Sequence, residues 1–177
     1  MKPAFNVREV YSNVSQLGAA MRELTSQDVY IGVPEEKAER NEEDGNGITS
    51  AYLSYIHEHG VPEQNIPEAP HLMPGIADIK PEAIKILESC AKAALEGKKG
   101  AVTRGLNRIG LLGQNAVRAR FVNNNWAPLA ARTLARKIGN KTRLERGRVN
   151  RLLLTGQLQK AHTYVIRRRG AMVITED

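Results

Sequence analysis

Residues 80–121, KPEAIKILESCAKAALEGKKGAVTRGLNRIGLLGQNAVRARF, decide how this chain folds. Proline fits the first turn of a helix, where its missing N–H would have no partner anyway, so Lys80-Pro81 reads as a helix start. Ile84, Leu87, Ala91, Ala94 and Leu95 then recur at the spacing of one helical face, and Gly97 ends the run. After the basic turn Lys98-Lys99-Gly100, the same period continues through Leu106, Ile109, Leu112, Ala116, Val117 and Phe121. Two such segments joined by a short turn are expected to pair as an antiparallel helical hairpin. Gly105, Gly110 and Gly113 each cost about 1 kcal/mol relative to alanine inside a helix, so their presence predicts the close approach of another backbone.

Upstream, Val7, Val10, Tyr11, Val14, Leu17, Met21 and Leu24 lie three or four residues apart and predict an amphipathic N-terminal helix. Val29 to Val33 is short and β-branched and is closed by Pro34, the pattern of a strand. Glu35 to Gly47 is acidic and rich in turn formers, and it lacks the ligand spacing of a calcium loop. Thr49 or Ser50 caps a helix that stops at Gly60. Val61 to Gly75 carries four prolines and reads as a stiff, irregular crossing segment.

Downstream, Asn123 to Trp126 reads as a turn and Pro128 as the start of a short helix, while Lys141 to Arg151 is too basic and too poor in apolar residues for a core. Thr163 to Arg167 and Ala171 to Thr175 flank Arg168-Arg169-Gly170, a hairpin signal. These two strands are expected to share a sheet with Val29 to Val33. The expected fold is α+β: a small antiparallel sheet packed against the long helical hairpin and the N-terminal helix. One domain spans residues 1–177, with exposed loops at about 35–47 and 139–151.

Composition narrows the function classes. The single cysteine, Cys90, has no partner for a disulfide and no zinc-type spacing around it. A signal-peptide core and an 18-residue apolar run are both missing, so a cytosolic origin without membrane insertion is expected. The net charge of +7 is unevenly spread: residues 1–97 carry 8 Lys/Arg against 16 Asp/Glu, whereas residues 98–169 carry 18 against 1. Such a chain can attract DNA along its basic half or the acidic half of an identical neighbour. Arg132, Arg136, Lys137, Lys141, Arg143, Arg146, Arg148 and Arg151 are the candidate contacts to a subunit or to the DNA backbone. Trp126 stands alone, so base stacking is not expected.

His57-Glu58-His59 invites a metal reading, but alternate residues on a helix point about 200° apart and cannot readily share one ion. The expectation is no metal, no cofactor and no catalytic residue. Thr155-Gly156 has neither a serine-elbow nor a phosphate-loop context.

Ala51 to Gly60, followed by Ile66-Pro67, Pro70, Leu72 and Pro74, resembles the "helix, His-Glu-x-Gly, Ile-Pro-x-x-Pro-x-Leu" signature of phage tail-completion and neck (head-tail joining) proteins. Leu152-Leu-Leu-Thr155-Gly156-Gln-Leu158 resembles the same family's "Leu-x-x-Thr-Gly-x-Leu" motif before its final strands. His57, Glu58, Gly60, Ile66, Pro67, Pro70, Leu72, Pro74, Thr155, Gly156 and Leu158 carry the likeness. Ala69, where relatives place arginine, and His162, where they place a small polar residue, depart from it. The resemblance implies a non-enzymatic virion subunit, assembled in the host cytoplasm, that forms a ring, usually a hexamer, at the head-tail junction. Its neighbours would be other neck, tail-tube or terminator proteins, and DNA in the channel. A tail terminator, a head-closure protein and, from another class, a sequence-independent DNA-binding protein remain alternatives.

Overall fold

The computed structural model describes residues 7–39, 47–123, 126, 152 and 156–169, with side chains from residue 14 onward. Among these residues the order of elements is α1 (Val7–Thr25), β1 (Gln27–Gly32), α2 (Ser50–His59), α3 (Leu72–Leu95), α4 (Ala101–Arg120), α5 (Gln157–Ala161) and β2 (Thr163–Arg168). The class is α+β, with two long packed helices and a two-stranded sheet in which β1 pairs with β2. Several expectations lie outside the described residues. They are the strand Ala171 to Thr175, the helix from Pro128, the loop 139–151, Thr155, residues 40–46 of the acidic loop, and all eight candidate basic contacts from Arg132 to Arg151.

The chain divides into two compact units, one comprising Met1–Tyr30, Pro81–Gly110 and Val165–Asp177, the other Ile31–Lys80 and Leu111–Tyr164. In the first, Ala20, Ala94, Val102 and Leu106 are buried together, with Leu24, Val29 and Ile166 packed against them. The Arg169 N–H donates to the Ser26 carbonyl at 2.9 Å, which places the end of β2 beside the start of β1 and makes the pairing antiparallel. The Arg169 guanidinium closes on Asp28, with Nη2 2.9 Å from Oδ1.

In this unit the helical faces differ from the sequence reading. Val14, Leu17 and Met21 on α1 are 64%, 51% and 52% exposed, and Ile84, Leu87 and Leu95 on α3 are 47%, 46% and 49% exposed. The inward meridian of α3 runs instead through Ile86, Cys90 and Ala94, of which Ile86 and Ala94 are buried and Cys90 half-buried. Small residues decide this. A Cβ on Gly105 would run into the Cys90 side chain, so the helices meet along their smallest residues and the long aliphatic side chains turn outward.

In the second unit, Ala69, Val117, Phe121, Leu152 and Leu158 form the core, with Ile31, Leu53, Leu72, Ile76 and Trp126 packed on it. Here α3 and α4 touch at backbone distance, since a Cβ on Gly75 would lie 2.8 Å from the Val117 Cα and 2.9 Å from its N. The sequence reading placed backbone approaches at Gly105, Gly110 and Gly113. The neighbours found at Gly105 and Gly113 are the side chains of Cys90 and Ile31, and the backbone approach is at Gly75.

The start of α3 also needs correction. The helix begins at Leu72, and Pro81 lies inside it, so the segment read as irregular through Gly75 is helical in its last four residues. Proline in a helix interior removes one hydrogen bond and usually breaks the element. The helix passes through Pro81 nonetheless, and its first turn is held by a cap supplied from α2. The rest of the proline segment is stiff, as expected, but more regular than the irregular path that was read. Pro62–Gln64 forms a 3-10 turn, Val61 and Ile66 form an antiparallel bridge, and Asn65 takes the left-handed conformation with φ 54°.

Candidate functional site

Helix α2 starts where the Thr49 hydroxyl accepts the Tyr52 N–H at 3.2 Å, satisfying one of the free amides of its first turn. It stops at Gly60, whose φ of +70° and close neighbours, the Glu68 N and Ile66 O within 2.9 Å of any added Cβ, admit only glycine. Between these ends the helix presents Ser54 and Glu58, one turn apart on the same side and both buried. His59 lies beyond them, with its ring 4.4 Å from that of Tyr55.

Glu58 is the cap of α3. Its Oε2 accepts the N–H groups of His71 and Leu72, each at 2.8 Å, and its Oε1 accepts that of Met73 at 2.9 Å. A carboxylate at a helix N-terminus meets both unpaired amides and the positive end of the helix dipole. Burial pushes the Glu58 carboxyl up, but the three amides and the neighbouring His71 outweigh it and hold its pKa below the ordinary value. The same corner is tightened by the Ala69 N–H, which donates to the His57 carbonyl at 2.6 Å.

Next to the cap lies a fully enclosed polar group. The Ser54 Oγ is 3.0 Å from the Nε2 of His71 and 3.0 Å from the Nε2 of His162. The His71 Nδ1 faces the Ala69 carbonyl at 3.0 Å and the Glu58 Oε2 at 3.3 Å, while the His162 Nδ1 faces the Leu158 carbonyl at 2.8 Å. Both rings are 0% exposed and Ser54 is 6% exposed. The two imidazoles stand edge to face at 4.9 Å, and His71 packs likewise on Phe121 at 4.7 Å. Burial pulls both histidines below their ordinary pKa, His162 to about 4, where nearby His71 and Arg118 disfavour a further positive charge.

His162 is positioned by α4. The Arg118 Nε donates to the His162 carbonyl at 3.0 Å, its Nη2 to the Lys160 carbonyl at 2.9 Å, and Gln159 returns a bond to the Arg118 carbonyl at 2.8 Å. Leu158, from the second family-like motif, is buried in the same core, and Gly156 supplies the left-handed N-cap of α5. The two motifs therefore meet at Ser54, whose bond to His162 joins residues 108 positions apart.

Chemically, Ser54, His71 and Glu58 have the connectivity of a nucleophile, a base and an orienting carboxylate. The arrangement does not work as one here: the hydroxyl lies between two rings in a closed core, and the amides that could stabilise an oxyanion already bind Glu58. Among the described residues no group of three His, Cys, Asp or Glu is placed to hold a metal ion, and no helix is long and apolar enough to cross a membrane.

Of the motif residues, Glu58 caps, Gly60 turns, and Ile66 and Pro67 line, with His59, Pro62, Asn65 and Glu68, an open groove of about 490 Å³. Pro70 is half-buried and its carbonyl accepts the Trp126 indole N–H at 3.2 Å. His57 and Pro74 are half-buried. Ser54, His71 and His162 were missed as a group, because serine on a helix and two histidines 91 positions apart carry no spacing signal. Comparison with family models, with curated proteins and with solved structures finds no match to the chain.

Proposed function

We propose that the chain is a structural subunit of a tailed-phage particle, one copy in a ring at the head-tail junction or the top of the tail, with tail completion the favoured place. The observation that carries this reading is the pair of apolar helical faces left open in the first unit: Val14, Leu17 and Met21 on α1, and Ile84, Leu87 and Leu95 on α3. Large side chains repeating at helical spacing on an exposed face mark a protein-protein contact more often than scattered apolar residues do. A second copy of the chain is the occupant that the charge pattern favours, because its acidic half and its basic half attract each other head to tail. Repetition of such a contact closes into a ring when the rotation permits. In the second unit, the groove beside Gly60 and the exposed Tyr52, Tyr55 and Met73 supply a further surface for neck, tail-tube or terminator neighbours.

The test is electron microscopy of the purified chain, with its mass measured in solution. Closed rings of uniform copy number, six by the resemblance, are expected. A chain that remains single at every concentration and never accompanies assembled tails overturns the reading.

The charge of residues 98–169 favours a second reading, a protein that grips the DNA backbone without reading sequence. Tight gel-shift binding by the dilute monomer, lost steeply as salt rises, would select it.

A further inference from the structure

The polar group inside the second unit has one hydrogen too few for its own geometry. Each Nδ1 faces a carbonyl oxygen, Ala69 for His71 and Leu158 for His162, and a carbonyl can only accept, so both Nδ1 atoms carry hydrogen. Both Nε2 atoms then present lone pairs when the rings are neutral, and both face the Ser54 Oγ at 3.0 Å. A hydroxyl has one hydrogen. It serves one ring, and the other Nε2 is left against an oxygen lone pair in a site closed to water, a costly arrangement.

We propose that Ser54, His71 and His162 form a binding site for a single proton, which on uptake rests on His71 between Glu58 and the Ser54 hydroxyl. The added proton comes from solvent and completes the chain of bonds. The His71 Nε2–H donates to the Ser54 Oγ, the Ser54 O–H donates to the His162 Nε2, and the two Nδ1–H groups keep their carbonyls. The mirror arrangement, with the charge on His162, satisfies the same bonds but is disfavoured by its surroundings. Glu58 on α2 lies 3.3 Å from His71, whereas the guanidinium of Arg118 on α4 bonds the His162 carbonyl. These are the charged groups that act on the two rings; Phe121 packs on both without charge. A second proton would put two cations in edge contact and leave the Ser54 hydrogen without an acceptor among the described residues. Burial opposes charge on either ring, so uptake falls on the acid side of the ordinary histidine range. The group is therefore an acid-sensitive joint between α2, the start of α3 and the α5–β2 segment: protonation completes its local bonds, but because uptake needs a lower pH in the fold than in the unfolded chain, it lowers the stability of the fold.

Long-range ¹H–¹⁵N spectra of the full chain, with each ring assigned through its own side chain, test this between pH 8 and pH 4. Both rings are expected to be neutral with hydrogen on Nδ1 at pH 8. On acidification His71 is expected to become an imidazolium first, while His162 is still neutral. In His162→Gln the amide donates to Ser54 without charge and the hydroxyl is free to serve His71, so the His71 midpoint should move down by about one pH unit. An Nε2–H tautomer on either ring at pH 8, titration of His162 before His71, or simultaneous titration of both overturns the proposal on the wild-type spectra alone. An unchanged His71 midpoint in a folded His162→Gln chain does so independently.

Discussion

Replacing Glu58 by alanine should be among the most damaging single changes in the second unit, and its size follows from the cap geometry. The carboxylate accepts three backbone amides at 2.8, 2.8 and 2.9 Å. Stripping a buried donor of its partner costs roughly 1–3 kcal/mol. The His71 amide is buried, but Met73 is 66% exposed, so water replaces part of what is lost. A total of about 3–5 kcal/mol is expected, a large share of the roughly 5–15 kcal/mol that holds a typical domain together. Glu58→Gln keeps one acceptor oxygen and should cost about half as much. Trp126, the only tryptophan in the sequence, packs on this core with its indole N–H on the Pro70 carbonyl, so urea unfolding followed by its fluorescence reads the loss directly. The pH dependence has a definite sign. Because the Glu58 pKa is held below 4.5 in the fold, its contribution is complete above that value and disappears as pH falls through the lower folded one. Glu58→Gln should therefore flatten the stability curve in that range. A cost below about 1 kcal/mol for Glu58→Ala at pH 7, less than a single stripped donor, would refute the assignment of Glu58 as the cap.

Gly75→Ala should destabilise by about 2 kcal/mol despite the better helix propensity of alanine, because the new Cβ meets the Val117 backbone. Gly18→Ala, whose Cβ would meet nothing closer than the Arg22 guanidinium at 3.8 Å, should be neutral or stabilising by up to about 1 kcal/mol, and thermal melts of the two variants decide. His162 is buried neutral with a pKa near 4, so its share of stability is whole above about pH 6.5 and shrinks as pH falls toward 4. About 3 kcal/mol should be lost across that window, and measured unfolding free energies should fall less steeply in His162→Gln. Leu17→Glu, at a site 51% exposed, should leave the melt unchanged within about 0.5 kcal/mol but shift the mass in solution from ring to single chain; an unaltered ring would show that this face of α1 is not the contact.

Much of the architecture was legible in the sequence because it rests on local signals. The caps of α2, the glycine stops at Gly60 and Gly97, the strand before Pro34 and the period of α4 all act within a few residues. What was misread depends on partners distant in sequence. Pro81 looked like a helix start because the carboxylate that holds the true start sits 13 positions before His71. The buried side of α3 was displaced because the partner's small residues, not the abundance of leucine, decide which meridian can approach closely. The polar core left no trace in spacing, since Ser54 and His162 meet only after the whole chain has folded. His162, which the sequence reading set aside as unlike its resemblance pattern, lies in the enclosed group beside Ser54 and His71.

The path from Gly60 to Pro70 leaves α2 and must return its amides to the carboxylate of the helix it has just left, so its length works as a ruler. Adding or deleting a residue there would change the reach of the return path and carry the donors away from Glu58. The prolines, the left-handed Asn65 and the tight glycine keep this measure constant, and natural variation in loop length should collect elsewhere in the chain.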